Sequence, residues 1–404
     1  MGSPISVKIV DLVPLLLSYT YPKDEQPHFA GGKVVRRNVA LIQVKTDAGL
    51  TGLGEVGSAI FLPDGVAPVV ARFKGLLLGE SPFNVERVWQ RLYAASVGWG
   101  RRGLAIGVMS AIDTALWDLM GQVTDVPVYE LLGGLYHERL RLYASFIPKD
   151  PASLLNDLRR AVDRGFTAVK IKMGAATYPG GGGFQMGAAP DLARERQLLR
   201  AVRETVGDRV DVLVDAAQAS APSPWSVPVA LQVARLVQEI NGYLLEEPCG
   251  ADDVAGYAAV AKAADVPIAA GENLATRYEF QAWLDHHALD ILQPDVTCVG
   301  GLTEARKIAL LAEYWRVPVV PHIWWTGVGM MANLHFAVST PGCSLAEHSQ
   351  ATYPLREELL CEPLTVANGY LAAPKHPGLG VKLPDQVAEQ YRFIPGPTFV
   401  PDPA

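Results

Sequence analysis

The 404-residue sequence lacks the features that mark several functional classes. Its four cysteines, Cys249, Cys298, Cys343 and Cys361, are widely spaced and form no Cys-x-x-Cys. That argues against a disulfide framework and predicts buried free thiols in a reducing compartment. There is no Lys/Arg-rich run, and the formal net charge is -7, so nothing draws the chain to nucleic acid. No stretch reads as the ~20 consecutive apolar residues of a membrane span. "VPLLLSY" near the N-terminus is short, follows no charged region and runs into Pro22, Lys23 and Asp24, so no signal sequence is expected. No G-x-G-x-x-G opens a helix, which disfavours a dinucleotide-binding open sheet. The expectation is a cytoplasmic, soluble protein with neither a nucleic-acid nor a membrane partner.

What is present is an ordinary globular composition, 49% hydrophobic and 19% charged, long enough for two domains or for a large barrel with an addition. The first part reads as α+β. "RNVALIQVKTDAGLTGLGEV" places two β-prone runs around "DAG", a hairpin signal. "GLAIGVMSAIDTALWDLMGQ" then carries Met109, Ile112, Leu116 and Leu119 at helical spacing. "VPVYELLGG" ends on paired glycines, as a helix cap does, and puts a boundary near Leu135.

From Leu140 short apolar strands alternate with helical segments. The strands are "LRLYASF", "TAVKIKM", "VDVLVDA", "YLLEEP", "VPIAAGE", "LDILQPD", "VPVVPHI" and "CSLAEHS". Eight such units over roughly 220 residues suit a TIM barrel, whose usual length is about 250; a doubly wound sheet is the alternative. The fold class expected is α/β: a modified TIM (β/α) barrel over 136–365, an α+β capping domain over 1–135, and a proline-rich segment over 366–404 returning to the cap.

In such a barrel, chemistry sits where strands run into the following loops. Lys170 and Lys172 come first, then Asp215, Glu246, Glu272, Asp295, His322 and Glu347. From Asp215 the separations are 31, 26, 23, 27 and 25 residues, about one βα unit each. These side chains therefore return to the same end of the barrel. Any one acid alone reads as a loop cap or surface charge, and His322 alone as a satisfied core histidine. Together, Asp215, Glu246 and Glu272 form a three-carboxylate cluster whose mutual repulsion calls for a cation. All-oxygen ligation favours Mg²⁺, with Mn²⁺ as a substitute. Asp295 is placed to orient His322 and raise its basicity. Lys172 is the second candidate base, with Lys170 and the metal expected to depress its pKa. Glu347 is expected to donate to, or hydrogen-bond, a substrate oxygen. Two bases flanking an α-carbon permit racemisation, or β-elimination in which one removes the proton and the other protonates the departing hydroxyl.

With these residues in view, "KIKMG", "VDAA", "LLEEP", "IAAGEN", "LQPDVTCVGGLTEARKIA" and "VPHIW" resemble the enolase superfamily, in its mandelate racemase subgroup. The resemblance runs over nearly the whole chain. It implies metal ligands at Asp215, Glu246 and Glu272, one Mg²⁺ per subunit, a lysine base at Lys172, a histidine–aspartate dyad at His322 and Asp295, and an electrophilic glutamate at Glu347. The tail "PLREELLCEPL…GYLAAPKHPGLGVKL" resembles that of sugar-acid dehydratases and galactarolactone cycloisomerases. The resemblance thus implies a lyase acting on a small carboxylate, by abstraction of the α-proton through an enediolate, in a homo-oligomer between dimer and octamer. The alternatives are a racemase or lactone cycloisomerase in the same site, a metal-free Schiff-base lyase using Lys172, and a barrel that only binds ligand. Many relatives carry Asn two residues after the first metal ligand, where this chain has Ala217. Cap loops near "YTYPKDEQPHFAGG" and "GEVGSAIFLP" are expected over the barrel mouth, with Tyr19, Tyr21, His28 and Trp324 as substrate contacts. The glycine-rich insertion at 178–190 fits no phosphate-binding pattern and is expected at the rim of the site.

Overall fold

The "DAG" turn reverses the chain, and alternation on either side supplies the two strands. The computed structural model describes residues 7–29, 32–146, 150–173, 189–221 and 223–401. Strand β1 (Ile9–Thr20) leads through the short β2 (His28–Phe29) and β3 (Gly32–Val34) to β4 (Arg36–Thr46). β4 lies antiparallel to β1 along almost its whole length and to β5 (Thr51–Glu55) across the turn. Two single-turn helices over 57–65 lead into α1 (Val66–Leu77), α2 (Val85–Ser96), α3 (Leu104–Thr124) and α4 (Val128–Leu131). Gly52 and Gly54 let α3 press on the bare backbone of β5. A Cβ on either would lie 2.1 or 1.8 Å from the carbonyl oxygens of Ala115 and Ala111.

One sequence expectation is corrected in α3. The 21-residue helix is long and apolar enough to cross a membrane, its best 18-residue window having a mean hydropathy of 1.3, but 89% of that window is buried inside the protein. The helix is apolar all round because it is packed all round, between the cap sheet and α2 on one side and barrel elements on the other.

The barrel follows the expected rhythm: β6 (Arg139–Phe146), α5 (Pro151–Asp163), β7 (Ala168–Lys172), α6 (Leu192–Val206), β8 (Asp211–Asp215), α7 (Val227–Glu239), β9 (Leu244–Glu246), α8 (Val254–Ala263), β10 (Ile268–Ala270), α9 (Thr276–Asp285) and β11 (Ile291–Leu292). Each strand pairs in parallel with the one before it. Next come α10 (Val296–Val299), α11 (Leu302–Trp315), α12 (Gly327–Ser339) and β12 (Leu345–Ser349), which pairs in parallel with β6. The seventh expected strand is reduced to one parallel bridge, Leu292 to Val319. Pro318 and Pro321 flank that bridge and supply no ladder donors. Tyr143, Ala168, Leu213, Leu244, Ala269, Ile291, Val320 and Leu345, one from each strand position, pack as a single interior cluster. That layer is the signature of a closed barrel and removes the open-sheet alternative.

After β12 only the four-residue α13 (Leu355–Glu358) stands where an eighth helix would be. The hairpin β13 (Val366–Ala367)–β14 (Tyr370–Ala372) pairs with the start of β6. Beyond α14 (Asp385–Gln390), β15 (Phe399–Pro401) pairs with β3, and Ser18 N–H donates to the Tyr391 carbonyl at 2.8 Å. Residues 174–188, most of the glycine-rich insertion, lie outside the described residues.

Candidate active site

Alternation along β7 sends Val169 and Ile171 outward against the helices, 0% and 1% exposed. Burial of such a side chain stabilises by about 1.5–3 kcal/mol. The same alternation turns Lys170 and Lys172 inward. The barrel ladder then sets Lys172 opposite Asp215, and Asp215 opposite Glu246. Lys170 Nζ lies 3.0 Å from both oxygens of Glu246 and 3.4 Å from Glu347 Oε1, with its side chain 3% exposed. Lys172 Nζ lies 3.0 Å from Asp215 Oδ2. Glu272 sits just past β10, after Gly271, whose φ of +145° and close approach to the Gln293 backbone admit no side chain. Its carboxylate is 3.4 Å from His322 Nε2.

On the opposite strands, His322 Nδ1 donates to Asp295 Oδ2 at 2.6 Å. Asp295 caps the N-terminus of α10, and its Oδ1 accepts from Thr297 N (2.8 Å), Thr297 Oγ1 (2.7 Å) and Asn333 Nδ2 (3.2 Å). The Trp325 indole N–H donates to Asp295 Oδ2 as well. Glu347 Oε2 accepts from Ile323 N at 2.9 Å. All eight polar residues picked from the strand ends therefore converge on one end of the barrel.

The crowding shows in the proton affinities. Burial pushes Glu246 up to about 7; Lys170 opposes this, while the charges of Asp215, Glu272 and Glu347 add to it. Burial works against the charge on His322, but Glu272 and the hydrogen bond to Asp295 prevail and raise it to about 10.

Two expectations on protonation change for the protein without bound metal. Lys172 is raised, not depressed: desolvation and Lys170 both lower it, but Asp215 and Glu272 outweigh them. Glu347 is pushed down to about 2, because Lys170 and His322 overcome the cost of burying its charge, so it stands as an acceptor and not as a proton donor. Among the described residues no three His, Cys, Asp or Glu side chains are already gathered as a metal cage. Each acid of the trio is turned to a nitrogen instead: Asp215 to Lys172, Glu246 to Lys170 and Glu272 to His322.

The expected substrate contacts fare differently. Tyr19 and Tyr21 are core residues, packed edge-on at 5.0 Å in a cluster with Leu17, Tyr353 and Tyr391. His28 lies on β2, and the expectation for its side chain falls outside the described part of the structure. Trp324 is half-buried beneath the Arg37 guanidinium, 4.0 Å from its ring. The tryptophan that reaches the dyad is its neighbour Trp325. Gln293, donating to Glu246 Oε2 at 2.9 Å, and Thr297 and Asn333, both donating to Asp295, join the site beyond the residues expected from the strand ends. Gln293 lies two residues before Asp295 on the same strand face, and Thr297 sits two after a capping aspartate; both signals are readable from spacing. Asn333 belongs to α12, and no local pattern marks it.

Known proteins agree with this architecture. Residues 19–133 match the family described as mandelate racemase / muconate lactonizing enzyme, N-terminal domain, and residues 153–387 match the enolase C-terminal domain-like family. The chain is 31% identical to arabinonate dehydratase of Saccharolobus solfataricus over 95% of its own length and 99% of the relative. It is 33% identical to D-galactarolactone cycloisomerase of Agrobacterium fabrum, covering 89% and 92% of the two chains. The crystal structure of the 3,6-anhydro-D-galactonate cycloisomerase from Zobellia galactanivorans superposes with a TM-score of 0.82 at 27% identity, over 95% and 99% of the chains. The two family matches span both domains, and the relatives above 30% identity cover nearly the whole chain: it belongs to the enolase superfamily, in its mandelate racemase / muconate lactonizing enzyme branch.

Proposed function

We propose that the chain is a metal-dependent hydro-lyase of the sugar-acid dehydratase type. It removes the proton α to a carboxylate, and a hydroxyl is lost from the neighbouring carbon. The observation that carries this reading is the pairing of two proton-carrying nitrogens with one group of acids: Lys172 Nζ 3.0 Å from Asp215, and His322 Nε2 3.4 Å from Glu272.

The superfamily works with a divalent metal, and the donor set here suits a hard cation. Asp215, Glu246 and Glu272 come from three successive strand positions, and the Gln293 amide oxygen is buried beside Glu246 without a hydrogen-bond partner. Asp215, Glu246 and Glu272 would hold one Mg²⁺ per subunit, with Mn²⁺ as a substitute. Such an ion supplies electrostatic stabilisation of the enediolate as the α-proton departs. Lys172 Nζ and His322 Nε2 take and return the protons: one nitrogen accepts the α-proton and the other delivers a proton to the leaving hydroxyl, releasing water. The enol left behind tautomerises to a 2-keto acid. Asp295 holds the Nδ1–H of His322, so that Nε2 faces the substrate. Trp325, Thr297 and Asn333 hold Asp295.

Two bases about one carbon also suit lactone cycloisomerisation or racemisation, and the likeness to the two cycloisomerases favours the first of these as the second reading. The Schiff-base reading leaves the three-carboxylate group of Asp215, Glu246 and Glu272 without a part and so accounts for less of the site. On this reading the chain divides near residues 135 and 365, the cap and tail serve one site, and the partner is a small carboxylate in a homo-oligomer.

The test is incubation of the Mg²⁺-loaded protein with aldonic acids, aldaric acids and their lactones. Appearance of a semicarbazide-reactive 2-keto acid, abolished in Lys172→Ala and His322→Asn, supports dehydration. Loss of optical rotation alone points to racemisation, and isomerised lactone to the second reading. Borohydride trapping on Lys172 with activity untouched by EDTA defeats the metal reading.

A further inference from the structure

The part of the dyad segment that follows Ile323 is held from outside the barrel. His322, Trp324, Trp325 and Thr326 lie between the broken seventh strand and α12, where Pro318 and Pro321 remove ladder hydrogen bonds; among the described residues the Leu292–Val319 bridge, His322 N–H to the Pro294 carbonyl (3.2 Å) and Ile323 N–H to Glu347 Oε2 (2.9 Å) tie the backbone to the barrel, all of them before Trp324. Within this segment the Trp325 indole donates to Asp295, the residue that orients His322. The aim of the indole depends on what fixes the backbone on either side of it.

Two charged residues of the cap do so. Glu55, at the end of β5 and 3% exposed, has no lysine or arginine within ion-pair distance among the described residues. Its Oε2 accepts from Thr326 N (3.1 Å), Thr326 Oγ1 (2.5 Å) and Gly329 N (3.0 Å). A carboxylate from one domain thus caps the first turn of α12 in the other, where the helix dipole favours an anion. Arg37, on β4 and also 3% exposed, donates to the Trp324 carbonyl. Its guanidinium lies between the rings of Trp324 (4.0 Å) and Tyr353 (4.3 Å). Trp325 sits between these two anchors. Glycine keeps the fit close: a Cβ on Gly329 would lie 2.9 Å from Glu55 Oε2 and 2.7 Å from Trp325 Cβ, and one on Gly57 would meet Thr297 Oγ1 at 2.4 Å.

We propose that Glu55 and Arg37 are positioning residues: the cap clamps residues 324–326 and thereby aims the Trp325 indole at Asp295, fixing the dyad. Neither residue need touch substrate. The proposal rests on the dyad reading above, and its primary test needs no substrate, so failure of the assigned activity leaves it decidable.

The experiment follows the indole N–H resonances of the ¹⁵N-labelled full chain. Trp325 is assigned through Trp325→Phe, and Trp89 and Trp117 through their own phenylalanine variants. Trp89 (to the Gly300 carbonyl, 2.9 Å) and Trp117 (to Thr303 Oγ1, 2.9 Å) also donate from cap to barrel, so they report on docking of the cap itself. In Glu55→Gln, which keeps the size and loses the charge, the Trp325 indole proton should shift and exchange with solvent at least about tenfold faster, as expected when a hydrogen bond to a buried charge is lost. Trp89 and Trp117 should keep their native rates. An unchanged Trp325 indole would make Glu55 a helix cap only. Equal acceleration of all three would make it a general cap–barrel fastener. Either result overturns the proposal. If Glu55→Gln does not fold, Arg37→Lys releases the other anchor and is read in the same way. On a turned-over substrate, Glu55→Gln should lower kcat with KM little changed, and Glu55→Asp should recover part of the loss.

Discussion

The Trp325 indole and the His322 imidazole donate to the same oxygen, Asp295 Oδ2, so the dyad is a three-membered arrangement. Asp295 is fully buried, and all its partners are donors. Trp325→Phe keeps most of the ring contact and removes one donor from a buried charge. A hydrogen bond to a charged group contributes about 1.5–3 kcal/mol. Turnover should therefore fall by about tenfold or more, with KM nearly unchanged. Steady-state kinetics on the substrate found in the screen would measure this. A variant with native kcat would show that the histidine and Asp295 suffice alone.

Lys170 has a side chain 3% exposed and faces two acids, Glu246 and Glu347. Its own proton is held firmly: burial opposes the charge, yet Glu246 and Glu347 outweigh it. Lys170→Met would leave both carboxylates buried with their main cation gone. Breaking one side of a buried pair costs about 3–5 kcal/mol. Urea unfolding of the EDTA-treated protein should show a loss of that order at neutral pH. The loss should be larger at pH 8 than at pH 6, because Glu246 sheds its proton as the pH rises through about 7 and only then needs its partner's charge. A loss that does not change with pH would mean that the carboxylates are not what suffers.

The barrel could be read from the sequence because each strand is short, apolar and followed by a helix of its own period. The site could be read because one ionisable residue recurs per βα unit. What could not be read was how charges pair when they converge. Spacing brings Lys170 beside Lys172 and predicts mutual repulsion, but not that Asp215 and Glu246 would each take one of them. Trp324 and Trp325 are indistinguishable in sequence, and the backbone turn before α12 decides which of them reaches Asp295. Glu55 and Arg37 lie more than 250 residues from the segment they hold, in strands that read as ordinary cap sheet.

Metal binding should compete with the lysines. Asp215 and Glu246 now pair with ammonium groups, so Mg²⁺ must displace these contacts to take the same oxygens. Added Mg²⁺ should raise the melting temperature of EDTA-stripped protein by simple linkage, about 2.7 kcal/mol of stabilisation at a hundredfold excess over Kd. Asp215→Asn and Glu272→Gln should abolish that rise, which differential scanning fluorimetry can follow. A rise of native size in both variants would move the ion to other residues.

His322 gives a pH dependence of definite sign in the metal-free protein. Its proton affinity rises from 6.5 to about 10 on folding, so the folded state holds the proton more tightly. The resulting stabilisation is fully present below pH 6.5 and is lost as the pH climbs through about 10. The stability gap between wild type and His322→Asn should therefore narrow steadily across that window. Chemical denaturation at several pH values from 6 to 10 measures it. A gap that widened with pH would mean that the imidazole is buried neutral and the Glu272 contact is absent.

Ala217 is strained by its place in the site. It has a φ of +46°, and its N–H donates to Asp215 Oδ1 at 2.7 Å, so the left-handed turn holds the candidate ligand in place. A β-carbon costs roughly 1–2 kcal/mol in that region, while Gly carries no such cost and Asn reaches it more easily than most residues. Ala217→Gly should gain from relief of the turn and lose a little to the freer unfolded chain, leaving stability level or slightly higher. Ala217→Asn should be at least as stable and add an amide next to the carboxylates, shifting the preferred substrate in the acid panel more than it changes the rate on any one acid. Thermal denaturation of both variants, run beside that panel, separates the two effects. A clear destabilisation in both would show that the methyl group is needed for packing, and that the turn's conformation is not what limits this position.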